Sequence, residues 1–463
     1  MTSDVGAFSS AFFSPRQQQY LIEFLIRFQS RRKMSLQNAD ALHRHLVNMP
    51  MPFPFCYPVK DFYFPLTITA ASGTMLQDAD QNRYLDFSMG YGSRLFGYDP
   101  PGEAGNQAGF GSHIDFALGF PPERMLRIVE MLQKLTGLDR FYFCTTGSEA
   151  VMLALRMARA YTGKQQVAIF TESNHGQYDS VVATQQDSLD RMTVWGIPSA
   201  YQQDLLLLDY CQDASLEIID ANRESLAAVL VEPCQTRHPE RDPSIFLRKL
   251  HALAGEAPFL LIFDELVSGF RLHPAGARGF WGIDASLVLY GKSLGNGMPL
   301  AVIGGQRRVM DLLDGGDWNF GDCSRPVLLT VPHGSTYSMH PLAMQAAEAT
   351  LERLVAEGPG LQEKLNRQTA DLISGINVLL EEKQTPFRMA GWGSFFGPVW
   401  HNAESRHWEL SLVYLHLLEE GALLWGLSGF LSTAHTKEDM ALVQEAFRSS
   451  ISKLQSADFL KSS

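Results

Sequence analysis

Six short apolar runs recur through the middle of this chain and constrain its fold more than any other feature: residues 141–144, 167–170, 227–231, 259–263, 286–290 and 301–304. Runs this short and this uniformly apolar suit strands covered on both faces. Helical patterns lie between several of them, and such alternation predicts an α/β fold with a mostly parallel central sheet and right-handed crossovers. Ligands on sheets of this kind sit outside the carboxyl ends of the strands. The residues that follow each run are therefore the first place to look for chemistry.

The flanks differ from this core. Residues 1–14 read as a loose terminus. From residue 15 to about 32, Tyr20, Leu21, Phe24, Leu25 and Phe28 recur at three- and four-residue steps. That spacing predicts an amphipathic helix, lying on the main body or on a partner subunit. A linker rich in Pro and His follows to about residue 54. Residues 66–88 alternate, with turn signals at Ser72-Gly73 and over 78–82, which predicts a β-meander. The stretch from Phe87 to Gly92 then enters a glycine-rich loop expected at a binding rim. A helix is expected over 122–135. After Pro341 come helical patterns over 342–357 and 361–382, short strands near 393–400 and 423–431, and a terminal helix near 437–454. With 463 residues the chain exceeds one simple core. The expected organisation is an N-terminal helix, arm and meander over 1–95, a large domain over 96–345, and a smaller α+β domain over 346–463.

Composition narrows the function. Hydrophobic residues at 45% and charged residues at 19% mark an ordinary folded protein. A net charge of −12 argues against a nucleic-acid or anionic-membrane binder, so an anionic ligand would need a local site. The five cysteines are scattered, with no CxxC pair and no Cys/His metal spacing. That pattern suggests reduced thiols in a cytoplasmic protein and no bound metal. No signal-peptide order and no apolar run of ~18 residues is present.

Several strand ends carry reactive groups. Lys292 follows the 286–290 run and precedes the small residues Gly295, Gly297 and Pro299. A lysine there can be desolvated, which lowers its pKa and frees a nucleophilic amine; the alternative is a surface lysine in a turn. Thr146-Gly147-Ser148-Glu149-Ala150 joins a strand to a helix. Unpaired N–H groups and the helix dipole could cradle a phosphate there, with Gly147 allowing close approach and Ser148 adding a hydroxyl. The alternative is an ordinary N-cap at Ser148 with Glu149 in the first turn. Asp264 and Glu265 end the 259–263 run and could hold a protonated ring nitrogen, a metal or an arginine, Arg271 being the obvious structural partner. His175 and Glu232 follow two further runs, and the hydroxyls of Ser335, Thr336 and Tyr337 fill a late loop. Pyridoxal phosphate needs a lysine for its aldehyde, an acid for its ring nitrogen and N–H donors for its phosphate. This chain offers all three.

With these motifs the sequence resembles the class III (omega-type) aminotransferases of the fold type I pyridoxal-phosphate enzymes, in their glutamate-1-semialdehyde aminomutase-like branch. The matching blocks run from about residue 64 to 447. They include Thr146-Gly147-Ser148-Glu149-Ala150, Glu232-Pro233, Asp264-Glu265 with Gly269-Phe270-Arg271, Tyr290-Gly291-Lys292, and Gly334-Ser335-Thr336-Tyr337 with His340-Pro341. Finer features resemble the aminotransferase domains of polyketide and nonribosomal peptide synthetases: Gly196-Ile197-Pro198, the stretch from Glu232 to Pro239, and the stretch from Phe430 to Thr436.

The resemblance implies that Lys292 is the Schiff-base lysine and the acid/base, and that Asp264 holds the pyridinium nitrogen. Thr146, Gly147 and Ser148 would bind the phosphate, Leu266 would pack on a ring face, and Glu232 would line the cleft. Thr336 would reach the cofactor of the other subunit, making a homodimer with shared sites. Asn174 and His175 stand where the family often carries an aromatic residue and a histidine. Two further departures are Asn296, within a loop where three glycines are common, and Trp425-Gly426-Leu427-Ser428, where many members carry a carboxylate-binding arginine. The activity implied is ping-pong transfer of an amino group from an amino acid donor to a ketone or aldehyde, free or bound to an acyl carrier protein in secondary metabolism. An intramolecular aminomutase is the alternative, and a non-catalytic relative with the same fold is the third reading.

Overall fold

The computed structural model describes residues 12–47, 51–53, 57–99, 118–182, 196–400 and 407–460. Most of the terminus expected to be loose lies outside them. In chain order the strands are β1 (Ile68–Ser72), β2 (Met75–Asp78) and β3 (Arg83–Asp86). Next come β4 (Arg140–Cys144), β5 (Gln166–Phe170), β6 (Leu205–Leu208), β7 (Leu226–Val231), β8 (Leu260–Asp264), β9 (Leu287–Gly291) and β10 (Ala301–Gly305). The last are β11 (Phe387–Trp392), β12 (Phe395–Trp400), β13 (Ala422–Leu423) and β14 (Gly429–Phe430). The chain divides into two compact units, residues 1–104 with 367–463, and residues 105–366.

The 105–366 unit is built on a seven-stranded sheet in the order β4-β10-β9-β8-β7-β5-β6. β10 pairs antiparallel with both β4 and β9, and the remaining pairs are parallel. Every residue of β7, β8, β9 and β10 is buried, as continuous apolar runs require. The helix Gly147–Thr162 packs its Ala150, Val151, Ala154 and Leu155 into the same core. β4, β5, β7, β8 and β9 all deliver their carboxyl ends to one edge, so Thr145, Thr171, Glu232, Glu265 and Lys292 follow on that edge.

The other unit joins the two ends of the sequence. β1, β2 and β3 form the expected meander, and β13 extends it, pairing parallel with β3. The helix Pro15–Ser30 buries Leu21, Phe24 and Phe28, and Arg27 forms a bidentate pair with Glu419. Its apolar face therefore lies on its own chain. Arg32 is buried, with Nε donating to Tyr84 Oη at 3.0 Å and Nη2 to the Leu418 carbonyl at 2.9 Å. No helix among the described residues is long and apolar enough to cross a membrane.

Four elements differ from the sequence expectation. The expected linker after residue 32 contains the helix Lys33–His43. It has no local side-chain cap; instead the Asp80 carboxylate accepts the N–H groups of Met34 and Ser35 at 2.8 and 3.0 Å. β6 follows Asp204 as four leucines at a sheet edge, and β11 precedes the expected strand near 393–400. The helix His407–Glu419 is so uniformly buried over 409–418 that it shows no polar face. We predict that Asp80→Ala destabilises this unit by about 1 kcal/mol, the usual cost of a lost N-cap. The first transition in a urea titration followed by far-UV circular dichroism should shift down accordingly.

Candidate active site

The site is built from the turns at the carboxyl edge of the large sheet. Thr146 caps the helix Gly147–Thr162 through a capping box: its hydroxyl accepts the Glu149 N–H at 3.2 Å, and the Glu149 carboxylate accepts the N–H groups of Thr145 and Thr146. The N-cap is thus Thr146 and not Ser148, which lies inside the first turn. It leaves the N–H groups of Gly147 and Ser148 with no acceptor among the described residues, facing the positive end of the helix.

The loop after β5 is pressed onto this helix start. Ser148 Oγ accepts the Gln177 N–H at 3.0 Å. Gly176 has φ +82°, and a Cβ there would lie 2.3 Å from Ser148 Oγ, so only glycine fits. Gly147 is tight for a different reason: a Cβ would lie 2.6 Å from Leu266 Cδ1, while one on Gly291 would lie 2.7 Å from Leu266 Cδ2. Leu266 therefore spans the space between the helix start and the end of β9.

The two acids that end β8 have separate roles. Asp264 Oδ2 accepts from His175 Nδ1 at 2.7 Å, with both side chains buried, and Oδ1 accepts the Leu266 N–H at 3.2 Å. His175 Nε2 is buried and has no hydrogen-bond partner among the described residues. Glu265 instead accepts from Ser268 Oγ at 3.0 Å and from the N–H groups of Ala277 and Arg278, holding the start of the helix Gly276–Trp281. Burial pushes its carboxyl up to about 7, against the opposing pull of those donors. Glu232 bridges two loops, accepting the N–H groups of Asn174 and Thr236, each at 3.2 Å. Burial raises its carboxyl above the usual range, and the nearby Asp264 adds to the effect.

Lys292 opens the turn after β9 with φ +40°, a left-handed backbone that a non-glycine residue adopts only under constraint. Its amine forms no hydrogen bond or ion pair with the described residues. Burial lowers its pKa, and the carboxylates of Asp264 and Glu232 oppose that shift without cancelling it. Asn296, the departure in the lysine loop, is buried at φ +41°; asparagine tolerates this left-handed region better than most residues, which accounts for it in place of glycine. Thr336 is exposed, and its neighbour Ser335 lies 3.3 Å, oxygen to oxygen, from Thr145 Oγ1.

Sequence reading did not find the brace behind Asn174 and His175. Gln235 Nε2 donates to the Thr171 carbonyl at 2.9 Å and to Ser173 Oγ at 2.8 Å, and Arg241 in turn holds Gln235 Oε1 at 3.0 Å. The stretch from Glu232 to Pro239 contained the signal only as a motif without a geometry. No group of three or more His, Cys, Asp or Glu residues among the described residues is arranged to hold a metal ion.

Comparison with known proteins bears on this geometry. A family model described as aminotransferase class-III matches residues 56–430. Glutamate-1-semialdehyde 2,1-aminomutase of Archaeoglobus fulgidus is 29% identical over 443 residues, covering 90% of this chain and 100% of the relative. The enzyme of the same name from Thermus thermophilus is 32% identical over 413 residues, covering 84% of this chain and 92% of the relative. A solved structure described as a transaminase with PLP bound is similar at a TM-score of 0.80 and 24% identity, covering 92% of this chain and 99% of that one. The large sheet with its one reversed strand is the fold type I arrangement of pyridoxal-phosphate transferases.

Glu265 yields a pH prediction. Its folded-state pKa of about 7 lies above the ordinary 4.5, so between those values the folded protein holds a proton that the unfolded chain has lost. The associated stability is complete below pH 4.5 and disappears as pH rises through 7. At a pKa difference of that size the loss is roughly 3 kcal/mol. Glu265→Gln cannot titrate. The stability advantage of the wild type over it should therefore shrink from pH 4.5 to 7 in denaturant titrations, and a difference independent of pH would refute the assignment.

Proposed function

The chain belongs to the class-III aminotransferases, enzymes that use pyridoxal 5'-phosphate, and from that premise we propose that it moves an amino group from an amino acid donor to a ketone or aldehyde acceptor by a ping-pong mechanism. The observation that carries this reading is Lys292: a desolvated amine with no hydrogen-bond partner among the described residues, within the influence of the Asp264 and Glu232 carboxylates at the ligand edge of the sheet.

The residues fit the cofactor. Gly147 and Ser148 keep two N–H groups without an acceptor among the described residues for its phosphate, with the Ser148 hydroxyl and Thr146 beside them. Asp264, fixed by His175, offers an acceptor to a protonated ring nitrogen. Leu266 would supply an apolar surface for one ring face, and Asn174 and His175 are assigned to the other face by their positions in the family's pattern. When bound, the cofactor supplies an aldehyde to carry the amino group and a ring that withdraws electrons from the substrate Cα.

Lys292 holds the cofactor, and its amine takes and returns the proton at the substrate Cα. Burial favours the neutral amine, the form a general base requires. His175 positions Asp264: an Nδ1–H donated to the carboxylate holds it in one orientation. Glu232, with its carboxyl raised by burial, closes the cleft beside the lysine and ties down the loop that carries Asn174. The exposed Thr336 is assigned to the second subunit's phosphate, which makes the active unit a homodimer.

A second reading, intramolecular aminomutase, is favoured by the names of the similar sequences from Archaeoglobus and Thermus. The segment from Trp425 to Ser428, which carries no cation, favours an acceptor or donor that does not rely on a carboxylate anchor there.

The purified protein should be yellow and lose that colour when an amino acid donor is added without acceptor. Lys292→Ala should lower multiple-turnover transfer by roughly 10²–10⁴-fold. Full turnover in this variant would refute the lysine's role. A panel of donors and acceptors read by mass spectrometry, carrier-linked acceptors included, separates the two activities. Transfer releases one keto acid per amine formed, whereas an aminomutase needs no donor and releases none.

A further inference from the structure

We infer that His238 is a positioning residue for Asp264: with Glu172, Glu240 and Arg241 it forms a clasp that fixes the loop after β5, and through that loop the hydrogen bond from His175 to Asp264. The inference rests on the assignment of Asp264 to the cofactor's ring nitrogen.

The clasp begins at Glu172, whose φ of +63° is a left-handed conformation that a non-glycine residue keeps only when its surroundings fix it. On either side, the Thr171 carbonyl and the Ser173 hydroxyl both accept from Gln235 Nε2. The Glu172 carboxylate pairs with His238 Nε2 and, at 3.5 Å, with Arg241 Nη2. Arg241 Nη1 donates to Gln235 Oε1 at 3.0 Å, so one guanidinium joins the outer ion pair to the inner brace. His238 Nδ1 lies 3.0 Å from Glu240 Oε1. A carboxylate only accepts, so a ring that faces one on each nitrogen satisfies both only with a proton on each. The ring then acts as a cation between two anions. Burial opposes ionisation of Glu240, but the His238 hydrogen bond and the Arg241 charge hold its carboxyl below the ordinary value.

Position makes this cluster more than a surface ion pair. Ser173 and Asn174 are all that separate Glu172 from His175. The described backbone bonds of that stretch include only one short turn, Ser173 N–H to the Phe170 carbonyl at 3.3 Å. The loop is otherwise anchored by side chains from 232–241. The side chains of His238, Glu172 and Arg241 are 23%, 36% and 30% exposed, so each pair is screened and individually modest. Their leverage comes from the chain of contacts that ends at buried His175.

His238→Ala tests this in the full-length protein, with and without pyridoxal phosphate. Hydrogen–deuterium exchange read by mass spectrometry over residues 171–177 should quicken by about 5- to 10-fold, the worth of one screened charged hydrogen bond. Cofactor affinity and kcat should each fall by about 3- to 10-fold, with the donor KM unchanged. Lys249→Ala removes an exposed ion pair with Asp213 elsewhere in the same unit and should move none of these. If His238→Ala misfolds, His238→Gln, which keeps an N–H donor, should show the same changes at smaller size. Unchanged exchange over 171–177 overturns the inference. So does faster exchange with cofactor affinity and kcat intact, or an equal response in Lys249→Ala. If the wild type transfers no amino group, the transfer reading fails by itself, and the exchange and cofactor-affinity measurements still decide the clasp.

Discussion

The hydrogen bond from His175 Nδ1 to Asp264 Oδ2 is the interaction on which the rest of the site depends. It joins the loop after β5 to the end of β8 inside a region that excludes water. In such surroundings an unpaired carboxylate is costly, and a paired one is held in a single orientation. The same loop must meet the helix start at Ser148, which only glycine at 176 permits. Glu232 then anchors the loop a second time through Asn174 N, and Gln235 a third time through the Thr171 carbonyl. Three strand ends are thereby tied together. The desolvation felt by Lys292 is a property of that whole enclosure.

Two opposing effects act on the lysine. Removal from water disfavours its charged form, and two nearby carboxylates favour it. Desolvation wins. The same competition raises the carboxyl of Glu232, again with burial as the larger cause. Both shifts run toward neutrality, so the enclosure penalises charge generally and does not depend on one ion pair. A group that brings its own anionic phosphate must find compensation elsewhere, and the N–H groups of Gly147 and Ser148, which have no acceptor among the described residues, are suited to supply it.

Much of this was legible in the sequence because fully buried parallel strands must be continuous apolar runs. β7, β8 and β9 stand out for that reason, and the lysine, the acids and the Thr-Gly-Ser turn follow from position. What escaped depends on residues far apart in the chain. The Lys33–His43 helix owes its start to Asp80, and β6 is a run of four leucines that becomes a strand by pairing with β5. The His407–Glu419 helix failed the opposite way: buried on nearly every side, it carries no polar stripe to reveal a period. Within the site, the order Asp-Glu said that a carboxylate would reach the ligand edge without saying which. The division became readable only once His175 and the N–H groups of Ala277 and Arg278 claimed one acid each. Asn296 looked like a defect by comparison with glycine, yet its backbone conformation is one that asparagine accepts.

The N-terminal helix is a part of the core and not an appendage. Phe24 and Phe28 are buried, Arg27 reaches Glu419, and Arg32 hydrogen-bonds both Tyr84 and the Leu418 carbonyl. The contacts to Glu419 and Leu418 join positions nearly four hundred residues apart in sequence, with the whole 105–366 unit between them. Closing a loop of that length costs entropy that only a sizeable apolar interface can offset. The interface here is aromatic: Phe24 stacks on the His416 ring with centroids 4.0 Å apart, and Phe28 and Phe62 pack edge-on at 5.5 Å. Burial drives His416 down to about 3, so it remains neutral within that stack at any pH where the enzyme would work. The smaller unit can therefore assemble only after the larger one has been synthesised, with its stability resting on residues from both ends of the chain.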